Sequence, residues 1–342
     1  MLKRSETMRF EAVSVGKSLD HPEANEDSLV IIPGRGFAVI DGVTDISGRE
    51  IDGMRTGRYA SGIVQRAVAD WLCGAASFEA EPATLVEQVS SALRGAYERL
   101  GCLDEARADP TRRFGATLTV VVDRGSSFRF ILVGDSGLRL NGWETIVIDG
   151  GLDCITAALR QRAYAMVVAA GGSLVERRAV SRLASYYGAA ELHPDMSPWL
   201  DDTSLRTLHE RSLLACRLRF PDAPVDDIVR LLDRGISGQT WFQNNTRSPF
   251  CYSVFDGFEI PMALVEVVDR PRTELSTIEL YTDGYFKAAD TPSVDAWERA
   301  FEEVERIDPE KVGAYASVKG SSERMRTDDR TVIVAHLQDP RS

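Results

Sequence analysis

The sequence predicts an α+β protein whose strands and helices lie in separate layers. Apolar strand-like runs occur in pairs separated by short turns, which is the spacing of antiparallel hairpins. The helical segments do not alternate with single strands, so an alternating βαβ fold is not expected. With 342 residues, 44% of them hydrophobic, the chain is long enough to bury a substantial core.

Apolar runs bounded by turn residues predict strands at both ends of the chain. These strands cover 8–16, 28–32, 37–40, 115–123, 127–134 and 331–337. Residues 33–36 form the turn between the second and third strands, and the third strand ends at Asp41. Residues 124–126 join the next two strands as a hairpin, so we expect these two to be antiparallel neighbours.

Apolar residues at 3.6 spacing predict the helices. The stripe of the first helix consists of Ile63, Val64, Ala67, Val68, Trp71 and Leu72. A second helix covers about 82–100, because Pro82 suits a first turn and Gly101 suits a helix end. A third is expected around 293–306.

The middle of the chain, about 151–240, is expected to be mainly helical. Its predicted helices lie around 155–170, 174–187, 203–218 and 225–234. This segment could be a separate small domain. We favour an insertion that packs on the main sheet of a single domain spanning 8–340.

Composition limits the possible partners and compartment. A net charge of −12 argues against nucleic acid or an anionic membrane as the main partner. Five scattered cysteines without a Cys-x-x-Cys pair fit reduced thiols better than a disulfide framework. The first residues contain no apolar run, so we expect no signal peptide, and no segment is apolar enough for a membrane span. A cytoplasmic protein is therefore expected.

Short acidic motifs stand beside apolar strand-like runs in both halves of the chain. They are Asn25-Glu26-Asp27, Asp41-Gly42, Gly134-Asp135-Ser136, Asp283-Gly284 and Asp328-Asp329. A carboxylate at the end of a buried strand is costly unless a positive charge meets it. Oxygen ligands alone favour a hard cation such as Mg²⁺ or Mn²⁺ over zinc. We therefore expect the fold to gather these motifs around a cation.

The order of these motifs, with Gly115-Ala116-Thr117 between them, resembles the type-2C metal-dependent protein Ser/Thr phosphatases, the PPM family. The resemblance covers about 10–150 and 250–337, and the chain looks like a bacterial member. It implies a four-layer α-β-β-α sandwich of two antiparallel sheets flanked by helices. Each motif alone is weak, and the six in order carry the assignment.

The resemblance also implies roles for individual residues. Asp41 would bridge two metal ions, and the carbonyl of Gly42 would bind one of them. Asp283 and Asp328 would hold the other ion, which makes Asp41 and Asp283 the catalytic carboxylates. The remaining predicted metal residues are Glu26 and Asp27, which would order metal-bound waters, and Asp135, which would help to hold a weaker third ion.

The implied activity is divalent-metal-dependent hydrolysis of phosphoserine or phosphothreonine in proteins. Two or three Mg²⁺ or Mn²⁺ ions would activate a bridging water for direct attack on the phosphoryl group. The partner would be a phosphoprotein, the product of a Ser/Thr kinase. The alternative is a catalytically silent relative that binds a phosphoprotein or another partner without hydrolysis.

The sequence departs from the family pattern at three points, of which the missing arginine and the missing histidine favour that alternative, whereas the apparently complete set of metal residues opposes it. Pro22 stands where an arginine often grips the substrate phosphate, and Lys17 or His21 could substitute for it. Val43 stands where many eukaryotic members carry a histidine that serves as general acid. Gly137 replaces the arginine that commonly follows Gly-Asp-Ser.

Overall fold

The computed structural model describes residues 8–45, 47–74 and 78–337. Its strands are β1 (Arg9–Val15), β2 (Ser28–Ile32), β3 (Gly36–Ile40), β4 (Glu50–Ile51), β5 (Met54–Arg55), β6 (Leu118–Asp123), β7 (Ser127–Val133), β8 (Gly137–Leu140), β9 (Glu144–Ile146), β10 (Glu266–Pro271), β11 (Thr277–Tyr281) and β12 (Arg330–His336). Its α-helices are α1 (Thr56–Cys73), α2 (Pro82–Leu100), α3 (Leu103–Ala108), α4 (Leu152–Ala169), α5 (Leu174–Tyr187), α6 (Asp202–Arg219), α7 (Val225–Arg234) and α8 (Val294–Ile307). The N-terminal residues on which the signal-peptide expectation rests, 1–7, lie outside the described residues, as do 338–340 at the end of the predicted domain.

Ten of these strands form two five-stranded antiparallel sheets. Sheet 1 has the order β1-β12-β11-β8-β9, and sheet 2 has the order β10-β7-β6-β3-β2. In sheet 1 the first and last strands of the chain are paired, with Arg9 opposite His336 and Val15 opposite Arg330. In sheet 2, β6 and β7 are antiparallel neighbours, as the hairpin spacing predicted.

The two sheets bury a shared apolar core. Alternate residues of a strand point to opposite faces, so each sheet contributes one set of side chains to this core. Phe37 and Val39 enter it from β3, and Ile333 and Ala335 enter it from β12. Burial of an aliphatic or aromatic side chain contributes about 1.5–3 kcal/mol, so this layer stabilises the packing of the two sheets.

The outer faces of the sheets are covered by helices. The other face of sheet 2, including Ala38 and Ile40, packs against α1 and α2. The other face of sheet 1, including Val332 and Val334, packs against Trp297 of α8. Two antiparallel sheets between helical layers form the predicted four-layer α+β sandwich, which the structure confirms.

The helix-covered face of sheet 1 also contains a buried ion pair. Arg139 of β8 donates to both carboxylate oxygens of Glu279 on the neighbouring β11. The indole Nε1 of Trp297 donates to the same carboxylate at 2.7 Å. Because each charge is paired and hydrogen-bonded, sheet 1 can bury both groups beneath α8.

For the elements that the sequence predicted, the observed boundaries match closely, with two informative differences. Helix α2 spans the predicted residues, whereas α1 begins at Thr56, about two turns before the first residue of its apolar stripe, Ile63. Strand β6 begins at Leu118 rather than at residue 115. Ala116 instead forms isolated bridges to Gly42 and Phe255.

The chain divides into two compact units. The first comprises the described residues of Met1–Ile148, Ser253–Glu303 and Asp328–Ser342, and contains both sheets. The second comprises Asp149–Tyr252 and Val304–Thr327. The second unit therefore extends beyond the predicted 151–240 segment, and its status as an insertion in a single domain stays a prediction.

The second unit holds helices α4–α7 and ties the 304–327 segment to them. The guanidinium of Arg160 on α4 donates to the carbonyl of Lys311 at 2.9 Å. The hydroxyl of Ser185 on α5 donates to the carbonyl of Val318, also at 2.9 Å.

Among the described residues, no helix is long and apolar enough to cross a membrane.

Candidate metal centre

Backbone hydrogen bonds fix Asp41 where it leaves β3. The amide of Thr117 donates to the Asp41 carbonyl at 2.8 Å, and the amide of Val43 donates to the Gly115 carbonyl at 3.0 Å. Gly42 is bridged to Ala116 between these contacts. The segment before β6 thus holds the Asp41-Gly42 turn instead of extending the strand.

The carboxylate of Asp41 lies among four other carboxylates. Burial raises its pKa well above the usual value, and the charge of Asp283 raises it further. Asp27, Asp328 and Asp135 add smaller effects in the same direction. Five of the predicted site residues, from segments as distant in sequence as Asp27 and Asp328, therefore lie close enough for their charges to act on one another.

Asp27 is buried directly after the Asn25-Glu26 turn. Its Oδ2 accepts a hydrogen bond from the hydroxyl of Thr282 at 2.8 Å. Burial and the charge of Asp329 raise its pKa well above the usual value, although hydrogen bonds from Thr282 and Thr331 oppose the shift. No described residue donates a hydrogen bond to its other oxygen, Oδ1.

Glu26 is fully buried and has one satisfied and one unsatisfied oxygen. Its Oε2 accepts from the hydroxyl of Thr44 at 2.9 Å and from the ammonium of Lys17 at 2.8 Å. Its Oε1 has no hydrogen-bond partner among the described residues. A Cβ built on Gly57, in the first turn of α1, would lie 2.6 Å from this oxygen and 2.8 Å from the Gly42 carbonyl. The start of α1 therefore closes tightly over Glu26 and Gly42.

Lys17 reaches into the same cluster from the loop after β1. Its ammonium lies 2.8 Å from Glu26, 2.9 Å from Asp329 and 3.2 Å from Asp328. A fourth oxygen, the hydroxyl of Thr44, is 3.0 Å away. The three carboxylates raise the pKa of the lysine despite the opposing effect of burial, so the side chain is charged.

Asp329 organises the backbone around the cluster. Its Oδ1 accepts from the amide of Lys17 at 2.7 Å, and its Oδ2 accepts from the amide of Glu26 at 3.3 Å. These bonds tie the loop after β1 and the Glu26-Asp27 turn to the residue before β12. We interpret Asp329 as a positioning residue.

The other predicted residues are placed differently. His21 is exposed and faces Glu23, with 3.1 Å between Nδ1 and the carboxylate, so it does not join the cluster. Asp135 and Asp283 are solvent-exposed at the ends of β7 and β11, whereas Asp328 is half-buried. Gly134 sets the exit to Asp135, because its φ of +89° favours glycine and its amide donates to Ser253.

The donors of this cluster fit a hard divalent cation. Two buried carboxylate oxygens, Glu26 Oε1 and Asp27 Oδ1, receive no hydrogen bond from any residue that the structure describes, which is costly without a cation or water. Asp41 is surrounded by groups of its own charge, and oxygen-only donors match Mg²⁺ or Mn²⁺. Within the described residues, no three acidic, histidine or cysteine side chains already stand in the geometry of a metal site. Binding would therefore draw the carboxylates inward.

Sequence reasoning did not identify four residues that shape the cluster. They are Thr44, Gly57, Thr282 and Asp329. Asp329 and Thr282 stand next to predicted ligands, so adjacency was the available signal. For Gly57 and Thr44 the sequence held no comparable signal, because their roles depend on how closely α1 and the Gly42-Val43 turn approach Glu26.

The chain matches no protein-family model and no curated protein. It is similar to several solved structures over almost its whole length. The Mycobacterium tuberculosis serine/threonine phosphatase PstP/Ppp is 17% identical, with 97% of this chain and 100% of that chain covered and a TM-score of 0.44. Serine/threonine phosphatase Stp1 from Staphylococcus aureus is 12% identical, with coverage of 97% and 96% and a TM-score of 0.44.

A third similar structure is RsbX in complex with magnesium. It is 9% identical, with 98% of each chain covered and a TM-score of 0.41. At such low identities and TM-scores, these similarities do not assign an activity to this chain. The interpretation of the site rests on its own residues.

Proposed function

We propose that this chain is a divalent-metal-dependent phosphatase of the type-2C (PPM) family that acts on phosphoserine and phosphothreonine in proteins. The observation that carries this proposal is that the charges of Asp27, Asp135, Asp283 and Asp328 all act on the carboxylate of Asp41. These are the carboxylates of the motifs whose order resembles that family. A merely structural role would not favour such crowding, because like charges raise the cost of ionisation.

Each residue has a distinct part in the proposed site. Asp41 and the Gly42 carbonyl would bind metal at the centre of the site, and Asp283 and Asp328 would bind it on one side. When bound, Mg²⁺ or Mn²⁺ supplies Lewis acidity, which acidifies water and neutralises charge on the phosphoryl group. Glu26 and Asp27 would accept hydrogen bonds from waters and orient them, and Asp135 would add charge at the exposed edge. Two or three ions are proposed in total.

The substrate and compartment complete the proposal. The carboxylates of Asp135 and Asp283 lie at the solvent-exposed side, where a phosphorylated side chain could reach them once cations offset their charge. The substrate would be a phosphoprotein made by a Ser/Thr kinase. All five cysteines are free thiols, which supports a reducing, cytoplasmic compartment.

A second candidate is a catalytically silent relative that binds a phosphoprotein. It is favoured by Pro22 at the arginine position and by Lys17, whose ammonium is already paired with carboxylates. The phosphate-binding roles of Lys17 and His21 stay predictions. With three carboxylates around it, the Lys17 ammonium lies in a negative environment that repels phosphate unless further cations are bound.

The two candidates differ in turnover. The test is hydrolysis of p-nitrophenyl phosphate and of phosphoserine and phosphothreonine peptides, with Mn²⁺ and with EDTA. We expect hydrolysis with Mn²⁺ that EDTA abolishes. Mn²⁺ binding without turnover on any of these substrates would favour the silent relative instead.

A further inference from the structure

Lys17 has the surroundings of a built cation site. Only 7% of the residue is exposed, and its ammonium has four oxygen neighbours between 2.8 and 3.2 Å. An ammonium carries three protons, so these oxygens satisfy it completely. Two of the carboxylates come from Asp328 and Asp329, some 311 residues away in sequence.

The backbone of Lys17 is fixed as firmly as its side chain. Its amide donates to Asp329, the same carboxylate that contacts its ammonium. A Cβ on the preceding Gly16 would lie 2.6 Å from the Pro22 carbonyl, so the loop passes too closely there for a larger residue. The loop therefore delivers the ammonium to one place, and Lys17 is not a surface lysine that happens to meet an acid.

The oxygens that Lys17 occupies belong to residues expected to serve metal ions. Glu26 Oε2 and Asp328 Oδ1 contact the ammonium directly. A divalent cation on the same oxygens would sit within a few ångströms of the ammonium, and the two positive charges would repel each other. Ammonium and metal are therefore alternatives on that side of the cluster.

We propose that Lys17 is a built-in cation that takes the place of one divalent ion. The ammonium holds the Glu26–Asp328–Asp329 side of the cluster, which takes Asp328 out of the ligand set proposed for the metal ions, and divalent ions bind on the Asp41–Asp283 side. This inference rests on the proposed metal-binding function. It assigns Lys17 to charge balance within the cluster instead of to substrate phosphate, and it lowers the number of ions that the chain binds.

The test counts bound Mn²⁺ in the wild type, in Lys17→Met and in Lys287→Met. Methionine keeps the length of the side chain and removes the charge, and Lys287 supplies a matched control with an ion pair at a partly exposed site. We expect Lys17→Met to bind about one more Mn²⁺ per chain by equilibrium dialysis. Its melting temperature should fall below that of the wild type in EDTA and rise more on adding Mn²⁺. Lys287→Met should bind as many ions as the wild type.

Equal Mn²⁺ counts and equal Mn²⁺-induced melting shifts in wild type and Lys17→Met would overturn the role of Lys17. If Lys17→Met does not fold, the wild type labelled with ¹⁵N at lysine Nζ gives a second readout. A buried ammonium exchanges its protons slowly, so its resonance should persist when the protein is saturated with Mg²⁺. Its loss on saturation would show that the metal displaces it and would overturn the inference.

Measuring phosphoester hydrolysis together with the Mn²⁺ counts distinguishes a failure of the inference about Lys17 from a failure of the proposed phosphatase function. Hydrolysis with equal ion counts in both proteins would overturn only the role of Lys17. A wild type that neither binds Mn²⁺ nor hydrolyses phosphoesters would overturn the proposed function. In that case, Mn²⁺ binding gained only in Lys17→Met would still support Lys17 as the occupant of a metal position.

Discussion

Asp41 experiences the charge of several neighbouring carboxylates at once. Its pKa is raised by burial and by Asp283, and three further carboxylates act in the same direction. One ammonium, that of Lys17, can balance only one of these charges. A bound divalent cation would convert repulsion among the carboxylates into attraction, so metal binding and stability should be coupled.

At the residue scale, Asp283→Asn should separate metal binding from folding. The substitution removes a proposed ligand, so Mn²⁺ affinity should fall by more than about 10-fold, the loss seen when even an outer-shell partner of a metal is removed. Without metal, the melting temperature should stay the same or rise, because Asp283 raises the pKa of Asp41 more than any other neighbouring carboxylate does. Calorimetric titration and thermal melts measure both effects.

The control for that substitution is Asp290→Asn, an exposed aspartate in the same turn region. It should leave Mn²⁺ affinity and Mn²⁺-dependent hydrolysis unchanged. Equal affinity and equal turnover in Asp283→Asn and wild type would show that Asp283 is not a ligand.

A second residue-scale prediction concerns pH. In the unfolded chain Asp41 ionises near its ordinary pKa of 3.8, whereas in the folded protein its pKa lies well above that value. Between the two values unfolding releases a proton, so a rise in pH through this window destabilises the metal-free fold. Asp41→Asn cannot release this proton. In EDTA, its stability relative to wild type should therefore increase with pH above about 4.

Denaturant melts of both proteins at a series of pH values test this prediction. The difference should level off once the pH exceeds the folded pKa of Asp41. A difference that stays constant across the range, or that shrinks as the pH rises, would show that the Asp41 carboxyl is not destabilised in the fold.

The sequence singled out the carboxylates whose charges act on Asp41, but it did not predict the ion pairs of Lys17. Asp41 and Asp283 each follow an apolar strand. Because both strands belong to one sandwich, their ends can lie at only a few positions along its edges. The pairing of Lys17 with Asp328 depends on β1 and β12 lying side by side, which places the loop after one beside the turn before the other. Neither the residues around Lys17 nor those around Asp328 show a local pattern that predicts this contact.

At the element scale, the first turn of α1 limits the shape of the cluster. Gly57 lies so close to Glu26 and to the Gly42 carbonyl that a methyl group there would collide with both. An N-terminal helix turn also stabilises nearby negative charge. Helix α1 therefore begins at the position where its first turn covers Glu26. That first turn lacks the apolar pattern by which the sequence predicted the rest of the helix.

Replacing glycine by alanine at two positions of α1 tests this packing. Gly62→Ala should raise stability by about 0.5–1 kcal/mol, because alanine favours helix and the nearest atom to a Cβ there is 3.8 Å away. Gly57→Ala should lower stability and Mn²⁺ affinity despite the same helical gain. Denaturant melts and Mn²⁺ titrations compare the two variants, and equal behaviour of both would contradict the close approach of α1.

Other elements show what local patterns can and cannot predict. Helix α2 has the predicted bounds because Pro82 begins it and Gly101, at a φ of +69°, ends it. The short strands β8, β9 and β10 were not predicted. β9 has three residues and β10 lies at a sheet edge with an exposed pattern, so neither shows the apolar run on which strand prediction relies.

At the scale of the whole molecule, the second unit includes more than the segment that composition singled out. Residues 304–327 belong to it because α4 and α5 hydrogen-bond to their carbonyls. Deleting 149–252 alone should therefore leave 304–327 without those partners and lower the yield and melting temperature. Replacing both 149–252 and 304–327 with short linkers should give a protein with more regular secondary structure and a higher melting temperature than deletion of 149–252 alone. Circular dichroism and thermal melts measure these two quantities. A single deletion as stable as the full chain would contradict this organisation.

We propose that Asp41 and its neighbours form a divalent metal centre. Anomalous diffraction at the manganese edge, from crystals grown with Mn²⁺, tests it most directly. We predict a peak about 2.0–2.3 Å from a carboxylate oxygen of Asp41, with Asp283 among its ligands and Lys17 still paired with Glu26. A crystal saturated with Mn²⁺ that shows no peak within ligand distance of Asp41 would contradict the claim.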